Sequence, residues 1–271
     1  MAEILCSTGA LLGRPNGRDY RLLKEYKNEL CFDGYELMVY STWYPELPDF
    51  LNFIGSLGLN IPVIHCEKRI GEMISLGEET EAAIKRFETD CGIAREVGAK
   101  KAVLHLWGGI PSDQTFGNNL SAYPRLREIA EKYGIDLLVE NVVCNCKDPF
   151  SRFDEILEKY PDAHFIFDTK MAQFHSQTEL LYDEKYAKLW DKSLIRHFHL
   201  NDYDGGYMEW SRLKTLPIGS GHVDFTRLFG FLNEKGYDGT FTVESTAFDS
   251  DGIVDFDMLN RQYGIIKNAM K

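Results

Sequence analysis

The chain has 271 residues, of which 44% are hydrophobic and 27% charged, the composition of an ordinary globular protein. It carries 30 basic against 42 acidic residues, and a net charge of −12 argues against a surface that binds nucleic acid. The N-terminal "MAEILCSTGA" predicts no signal peptide, no apolar run reaches the roughly 20 residues of a membrane span, and the six scattered cysteines are typical of reduced thiols, so we expect a cytoplasmic protein.

Short apolar, strand-like runs alternate with helical patterns along the whole chain. The runs begin near Ile4, Gly34, Ile61, Ala102, Leu137, Phe165, Ile195 and Thr240. Their spacing suits parallel strands that are each followed by a crossover helix. Eight such units without a linker predict one α/β domain over residues 1–271, a single (β/α)8 TIM barrel. A doubly wound sheet is the competitor, but the segment after the first run, "TGALLGRPNG", lacks its G-x-G-x-x-G fingerprint.

Three helices are readable between or after these runs. Apolar residues recur at helical spacing over 78–97, and Gly98 stands where a C-terminal cap would. Asp148 and Pro149 are typical of an N-cap and a first helical position. A last apolar stripe runs from Phe256 to Met270. We expect all three stripes to pack against a sheet.

Each of the third to eighth runs has an ionisable residue near its C-terminal end, and TIM barrels have their active sites at the C-terminal ends of the strands. These residues are His65, His105, Glu140, Asp168, His199 and Glu244. Any one of them alone is explained as a hydrogen-bonded core histidine or as the N-cap of the next helix. Three carboxylates at one barrel mouth repel each other, however, unless a cation or a proton lies among them, so the set predicts a divalent metal site.

The run "IRHFHLNDYDG" carries two histidines with different expected roles. His199 is predicted as a metal ligand, whereas His197 lies one layer deeper on the same side of the strand and is predicted as a packed, hydrogen-bonded histidine. Asp202 has three possible roles that the sequence leaves open: it orients a metal ligand, contacts the substrate or forms a turn. The glycines of "IGSGHVDF" favour a tight loop over a phosphate-binding loop.

The motifs "VEN", "FDT", "HFHLND", "IGSGHVDF" and "TVES", in this order, resemble the xylose isomerase-like TIM barrels. That superfamily includes sugar isomerases, ketose 3-epimerases, inosose-metabolising enzymes and AP endonucleases related to endonuclease four. The resemblance spans nearly the whole chain and implies a shared metal site of Glu140, Asp168, His199 and Glu244. In the epimerase branch it also implies that the two glutamates move the proton. The endonuclease branch adds histidines matched here by His65 and His105, although sugar-active relatives also place polar residues there.

The chain departs from the superfamily pattern at three places. Met171 stands where many relatives have the histidine of D-T-x-H, and Lys170 or His175 are candidates to replace it. The loop after the seventh run has no D-x-H pair, which disfavours a third metal. Gly205 stands where ketose 3-epimerases have an arginine.

The sequence therefore predicts an enzyme, a metal-dependent isomerase or epimerase of a sugar, sugar phosphate or inosose. Glu140 and Glu244 exchange the proton of a metal-stabilised enediolate. One divalent ion is expected, Mn²⁺ first, with Zn²⁺, Co²⁺ or Mg²⁺ as alternatives. Predicted substrate contacts are His65, His105, Trp107, Lys170 and Asp202, with Trp43 and Phe116 as further aromatic candidates.

Two other functions stay open: a metal-dependent phosphodiesterase acting on abasic DNA, and a sugar-binding barrel without turnover. The expected partner is a small carbohydrate, without nucleic acid or membrane, and the chain is a candidate homo-oligomer.

Overall fold

In the computed structural model, which describes residues 2–270, eight strands pair in chain order and close into a barrel. The first strand pairs in parallel with both the second and the eighth, which closes the sheet. The strands are β1 (Glu3–Ser7), β2 (Gly34–Met38), β3 (Val63–His65), β4 (Lys101–Leu104), β5 (Asp136–Glu140), β6 (His164–Asp168), β7 (Ile195–Leu200) and β8 (Thr240–Val243). Each strand overlaps one predicted run, and the predicted (β/α)8 TIM barrel is confirmed.

Helices and short 3₁₀ segments occupy the connections. The helices are α1 (Thr8–Leu11), α2 (Leu23–Tyr26), α3 (Leu47–Ser56), α4 (Arg69–Leu76), α5 (Thr80–Val97), α6 (Phe116–Tyr133), α7 (Pro149–Lys159), α8 (Thr169–Phe174), α9 (Ala187–Asp191), α10 (Phe225–Glu234) and α11 (Phe256–Ala269). The 3₁₀ segments are Arg14–Asn16, Tyr20–Leu22, Ser41–Glu46, Thr178–Tyr182, Glu184–Tyr186 and Trp210–Arg212. None of these helices is long and apolar enough to cross a membrane.

The three helices read from the sequence form as predicted. Helix α5 ends at Gly98, whose φ of 84° is the left-handed conformation that glycine adopts at a C-cap. Asp148 caps α7 by accepting a hydrogen bond from the Ser151 N–H at 2.9 Å, and Pro149 is the first helical residue. On α11 the stripe buries Leu259, Tyr263 and Ile266.

The chain packs as two compact units. The terminal unit comprises Met1–Glu36, Ser56–Asn60 and Asp168–Lys271, and the central unit comprises Leu37–Gly55 and Ile61–Phe167.

In the terminal unit, the two faces of β7 and β8 differ in polarity because successive side chains of a strand point to opposite faces. Phe198 pairs in register with Phe241, and their rings lie 5.9 Å apart. The Phe198 ring also stacks 6.3 Å from Trp190 of α9, so this face is apolar and packs on helices. The other face carries His197 and His199, and it is the face that bears the polar side chains described below.

In the central unit, α5 buries its apolar stripe, including Phe87 and Cys91, and helices α4 and α6 pack against it. The strands of this unit are buried almost throughout, and the residues that end them or follow them include His65, His105 and Glu140. His105 falls one residue beyond β4 and not within it.

Candidate metal and active site

Three of the predicted metal ligands meet in the terminal unit. Asp168 is the last residue of β6, His199 lies on β7, and Glu244 directly follows β8. The His199 Nδ1 atom lies 3.4 Å from Glu244 Oε2 and 3.9 Å from Asp168 Oδ2. Asp168 and His199 are fully buried, and the Glu244 side chain is 10% exposed. The structure therefore places one oxygen each of two carboxylates near the same imidazole nitrogen.

Asp168 serves two purposes with its two oxygens. Its Oδ1 accepts a hydrogen bond from the Met171 N–H at 2.8 Å and caps α8. Its Oδ2 accepts one from Asn201 Nδ2 at 3.3 Å and faces His199. The N-cap role that the sequence also allowed thus holds the carboxylate in place and leaves one oxygen directed at the histidine.

Glu36, which the sequence analysis missed, is a buried carboxylate on β2 beside this cluster. It accepts hydrogen bonds from His197 Nε2 at 2.8 Å, from His199 Nε2 at 3.0 Å and from Thr242 Oγ1 at 2.8 Å. Burial alone would raise the pKa of Glu36, but the electrostatic interaction with His199 and the hydrogen bonds from both histidines hold that pKa well below its usual range. The only sequence signal was an acid inside the apolar run "GYELMVY".

His197 has the role expected from the sequence. Its Nδ1 atom lies 2.5 Å from Thr240 Oγ1, and its Nε2 atom binds Glu36. The prediction of a packed, hydrogen-bonded histidine is confirmed, because both ring nitrogens are engaged within the fold.

Glu140 lies with His65 and His105 in the central unit. Glu140 Oε2 is 2.9 Å from His105 Nε2 and 3.3 Å from His65 Nε2, and all three residues offer ligand atoms within 4.8 Å of one another. His65 Nδ1 lies 2.8 Å from the Cys66 carbonyl oxygen and donates to it, which directs Nε2 at Glu140. Burial lowers the pKa of His105 to about 4 against the opposing effect of Glu140. These residues form a second group able to bind a cation or a polar ligand.

The remaining predicted substrate contacts occupy different environments. Trp107 is fully buried, and its Nε1 donates to the Val143 carbonyl at 3.1 Å. The Lys170 ammonium donates to Thr215 Oγ1 at 3.2 Å. Of the further aromatic candidates, Trp43 is buried and stacks on Phe50 at 4.8 Å.

Asp202 is fully buried and organises the loop that follows β7. Its Oδ2 accepts from the N–H groups of Gly219 and Gly221, at 3.0 and 2.8 Å, and its Oδ1 accepts from those of Val223 and Tyr203, at 3.0 and 2.8 Å. Three of these donors belong to "IGSGHVDF". The backbone groups that a phosphate would use are therefore occupied by the protein's own carboxylate.

The glycine that replaces an expected arginine has a structural cause. A Cβ atom at Gly205 would lie 2.2 Å from the hydroxyl of Tyr203. That tyrosine is fully buried, and its hydroxyl donates to the Gly206 carbonyl at 2.9 Å. No side chain fits at position 205 without moving Tyr203.

Comparisons with known proteins agree with the barrel fold. Residues 27–260 match the sequence model of a family described as "Xylose isomerase-like TIM barrel". A stretch of 168 residues is 27% identical to the uncharacterized protein MJ1311 of Methanocaldococcus jannaschii. The stretch covers 56% of this chain and 53% of that protein, so the chain spans about half the length of this curated relative.

Solved structures share the fold over nearly the whole chain. A D-tagatose 3-epimerase-like protein superposes with a TM-score of 0.70 at 20% identity, over 98% of this chain and 96% of its own. An L-ribulose 3-epimerase gives 0.65 at 18% identity, over 97% and 86%. A 3-keto-D-glucoside 4-epimerase of E. coli gives 0.66 at 17% identity, over 99% and 100%.

Proposed function

Since this chain belongs to the xylose isomerase-like TIM barrel family, we propose that it is a metal-dependent sugar isomerase or epimerase. The observation that carries the proposal is that His199 Nδ1 faces one oxygen each of Asp168 and Glu244. Two carboxylates beside one imidazole fit a divalent cation, and this set suits Mn²⁺ best among the candidates. The solved structures with this fold include an L-ribulose 3-epimerase and a 3-keto-D-glucoside 4-epimerase, and their names support the same substrate class.

We propose Glu140 as the fourth ligand, as the family resemblance implies. His105 Nε2 holds the Glu140 carboxylate by its Oε2 atom at 2.9 Å.

In the proposed reaction the two glutamates move one proton. A bound divalent ion supplies positive charge that polarises a sugar carbonyl and its neighbouring hydroxyl. Glu244 or Glu140 takes the proton from the carbon next to the carbonyl, and the other glutamate, which enters the step protonated, gives its proton to the neighbouring atom or to the opposite face. Burial keeps water from competing for that proton. His65, His105 and Lys170 are proposed to contact the sugar.

We infer that the substrate is not phosphorylated. TIM barrels frequently bind phosphate with the loops after β7 and β8 and a nearby helix N-terminus. Here Asp202 occupies the backbone N–H groups of the first loop. Asp224 and Asp255 cap α10 and α11, so both helix N-termini already carry a carboxylate. A phosphate would meet negative charge at each of these positions.

Solvent deuterium exchange tests the proposal. A panel of free ketoses, aldoses, inososes and their phosphates is incubated with the Mn²⁺-loaded protein in D₂O, and exchange of the α hydrogen is followed by NMR. We expect exchange into a free sugar and not into its phosphate ester. Glu140→Gln and Glu244→Gln should each lower turnover by at least about 10²–10⁴-fold, the usual effect of losing a general base.

Two controls make this test decisive. Metal content is measured on each variant, because a glutamine that loses the ion would lose turnover for a different reason. Met171→Ala, which alters the position of the missing histidine, should cost much less. A Gln variant that keeps both its metal and full turnover would remove that glutamate from the mechanism, and metal binding without any exchange would favour the sugar-binding barrel.

A metal-dependent phosphodiesterase is the second candidate, and the group formed by His65, His105 and Glu140 favours it. A second ion bound at that group, measured as two equivalents of metal per chain, would support the phosphodiesterase function. The missing D-x-H pair after β7 and the net charge of −12 count against it.

A further inference from the structure

The buried carboxylate of Glu36 contacts three polar side chains. Thr242 Oγ1 donates to its Oε2 at 2.8 Å, and His197 Nε2 lies 2.8 Å from the same oxygen. Its Oε1 and its Oε2 each lie 3.0 Å from His199 Nε2. Equal distances from both oxygens to one nitrogen fit a ring N–H shared between two acceptors, which places a hydrogen of the His199 ring on Nε2.

This placement decides what the other nitrogen of His199 can do. In a neutral imidazole only one nitrogen carries hydrogen, so Nδ1 presents a lone pair. That lone pair faces Glu244 Oε2 at 3.4 Å and Asp168 Oδ2 at 3.9 Å. A ring of the opposite tautomer would direct a hydrogen to the same point and exclude a cation from it.

Other groups hold Glu36 itself in orientation. His197 Nε2 and Thr242 Oγ1 both donate to Oε2, each at 2.8 Å. The Nδ1 atom of His197 accepts in turn from Thr240 Oγ1 at 2.5 Å. The series Thr240, His197, Glu36 and His199 fixes the carboxylate plane, and all four residues are buried in the terminal unit.

We propose that Glu36 is a positioning residue that holds His199 as its Nε2–H tautomer and so makes Nδ1 the ligand atom of the candidate metal site. The inference rests on the proposed function, since it assigns Glu36 a task at that same site. Partners outside the ligand set that accept the free N–H of a ligating histidine fix its orientation and typically contribute 10–100-fold to metal affinity.

Nitrogen NMR on the metal-free wild-type protein tests the tautomer directly. Two-bond ¹H–¹⁵N correlations distinguish protonated from unprotonated ring nitrogens, and a His199→Asn variant identifies the His199 signals among those of the seven histidines. We expect a protonated Nε2 and an unprotonated Nδ1 near neutral pH. A protonated Nδ1, in either the opposite tautomer or a doubly protonated ring, would overturn the inference.

The isosteric variant Glu36→Gln tests the consequence for binding. Its amide offers one acceptor and one donor where two acceptors stood, so part of the His199 population should move to the Nδ1–H tautomer. We expect the Kd for Mn²⁺, measured by titration with electron paramagnetic resonance detection, to rise about 10–100-fold. Asp90→Asn is the matched control, because it makes the same acid-to-amide change at an equally buried carboxyl that binds Tyr44 and the Glu67 N–H instead of a histidine. Its Mn²⁺ affinity should equal that of the wild type.

The outcomes separate this inference from the proposed function. Unchanged affinity and an unchanged tautomer in folded Glu36→Gln would refute the role of Glu36 while leaving the metal site intact. If the wild type binds no divalent ion, the proposed function loses its metal, and the wild-type NMR spectrum still decides the tautomer. If Glu36→Gln does not fold, that same spectrum decides alone.

Discussion

At the scale of single residues, Asp90 shows how burial couples a side chain to pH. Asp90 lies on α5, and its oxygens accept from the Tyr44 hydroxyl at 2.8 Å and from the Glu67 N–H at 2.9 Å. Burial is the largest influence on this carboxyl and raises its pKa to about 7. The folded state thus retains a proton that the unfolded chain releases near pH 4. The free energy of unfolding should fall as the pH rises from about 4 to 7, because the folded state binds more protons.

Asp90→Asn should remove this contribution to the pH dependence. An amide has the shape of the neutral acid, and it can accept from the Glu67 N–H while donating to the Tyr44 hydroxyl oxygen. We expect the variant to match the wild type near pH 4 and to become progressively more stable than the wild type as the pH rises to about 7. Urea unfolding between about pH 4 and 8 measures the difference. Asp251→Asn, at an exposed loop position, is the control, and an unchanged pH slope in Asp90→Asn would contradict the assignment.

At the scale of elements, the connection from β7 to α10 is held by one side chain. Asp202 gathers four backbone N–H groups from both ends of this loop, and its own N–H and carbonyl pair with Leu216 at 2.9 and 3.2 Å. Among the described residues between 201 and 224, the short 3₁₀ segment Trp210–Arg212 is the only helix or strand. The conformation of the loop therefore depends on a buried carboxylate with every acceptor position used.

Asp202→Asn should destabilise the protein more than its small chemical change suggests. The amide group presents N–H where a backbone N–H also points, and each buried donor left without an acceptor costs about 1–3 kcal/mol. We expect the free energy of unfolding to fall by at least about 2 kcal/mol in urea titrations. Asp204→Asn, which removes a surface ion pair with Arg212 in the same loop, should change it little. If both substitutions lower the free energy of unfolding equally, the hydrogen bonds from the four backbone N–H groups to Asp202 do not stabilise the protein.

At the scale of the whole molecule, a resident ion should appear in the melting temperature. A ligand that binds only the folded state adds about 2.7 kcal/mol at a concentration 100 times its Kd. We expect Mn²⁺ to raise the Tm of the metal-stripped protein and EDTA to reverse the rise. Asp168→Asn should abolish the Mn²⁺-dependent shift while the metal-free melting temperature stays measurable. If the Tm does not change with Mn²⁺, Co²⁺, Zn²⁺ or Mg²⁺, the metal site that the family resemblance implies is refuted.

The net charge of the chain distinguishes sugar chemistry from DNA chemistry. A protein with a charge of −12 gains little from counterion release, so it should bind DNA poorly at physiological salt. We expect no incision of an abasic-site duplex by the metal-loaded protein under those conditions. Efficient metal-dependent cleavage of that duplex would place the phosphodiesterase function ahead of the isomerase.

The sequence by itself determined the barrel architecture and the ionisable residues at the ends of its strands. Eight apolar runs at βα spacing predicted the strands because a strand buried on both faces reads as a continuous apolar run. The caps at Gly98 and Asp148 were readable because they depend on local backbone geometry. The carboxylates and histidines that end the strands were readable because parallel strands all end at one side of the sheet.

Only the tertiary structure decided how these side chains pair. Glu36 lies 163 positions before His199 in the chain, and no local pattern joins them, since their hydrogen bond depends on barrel closure between β1, β2 and β8. The same holds for Asp202. The sequence allowed three roles for this residue, and only the structure showed that the loop folds around its carboxylate. Local propensity acts over a few residues, whereas a buried carboxylate takes whichever donors the closed fold brings to it.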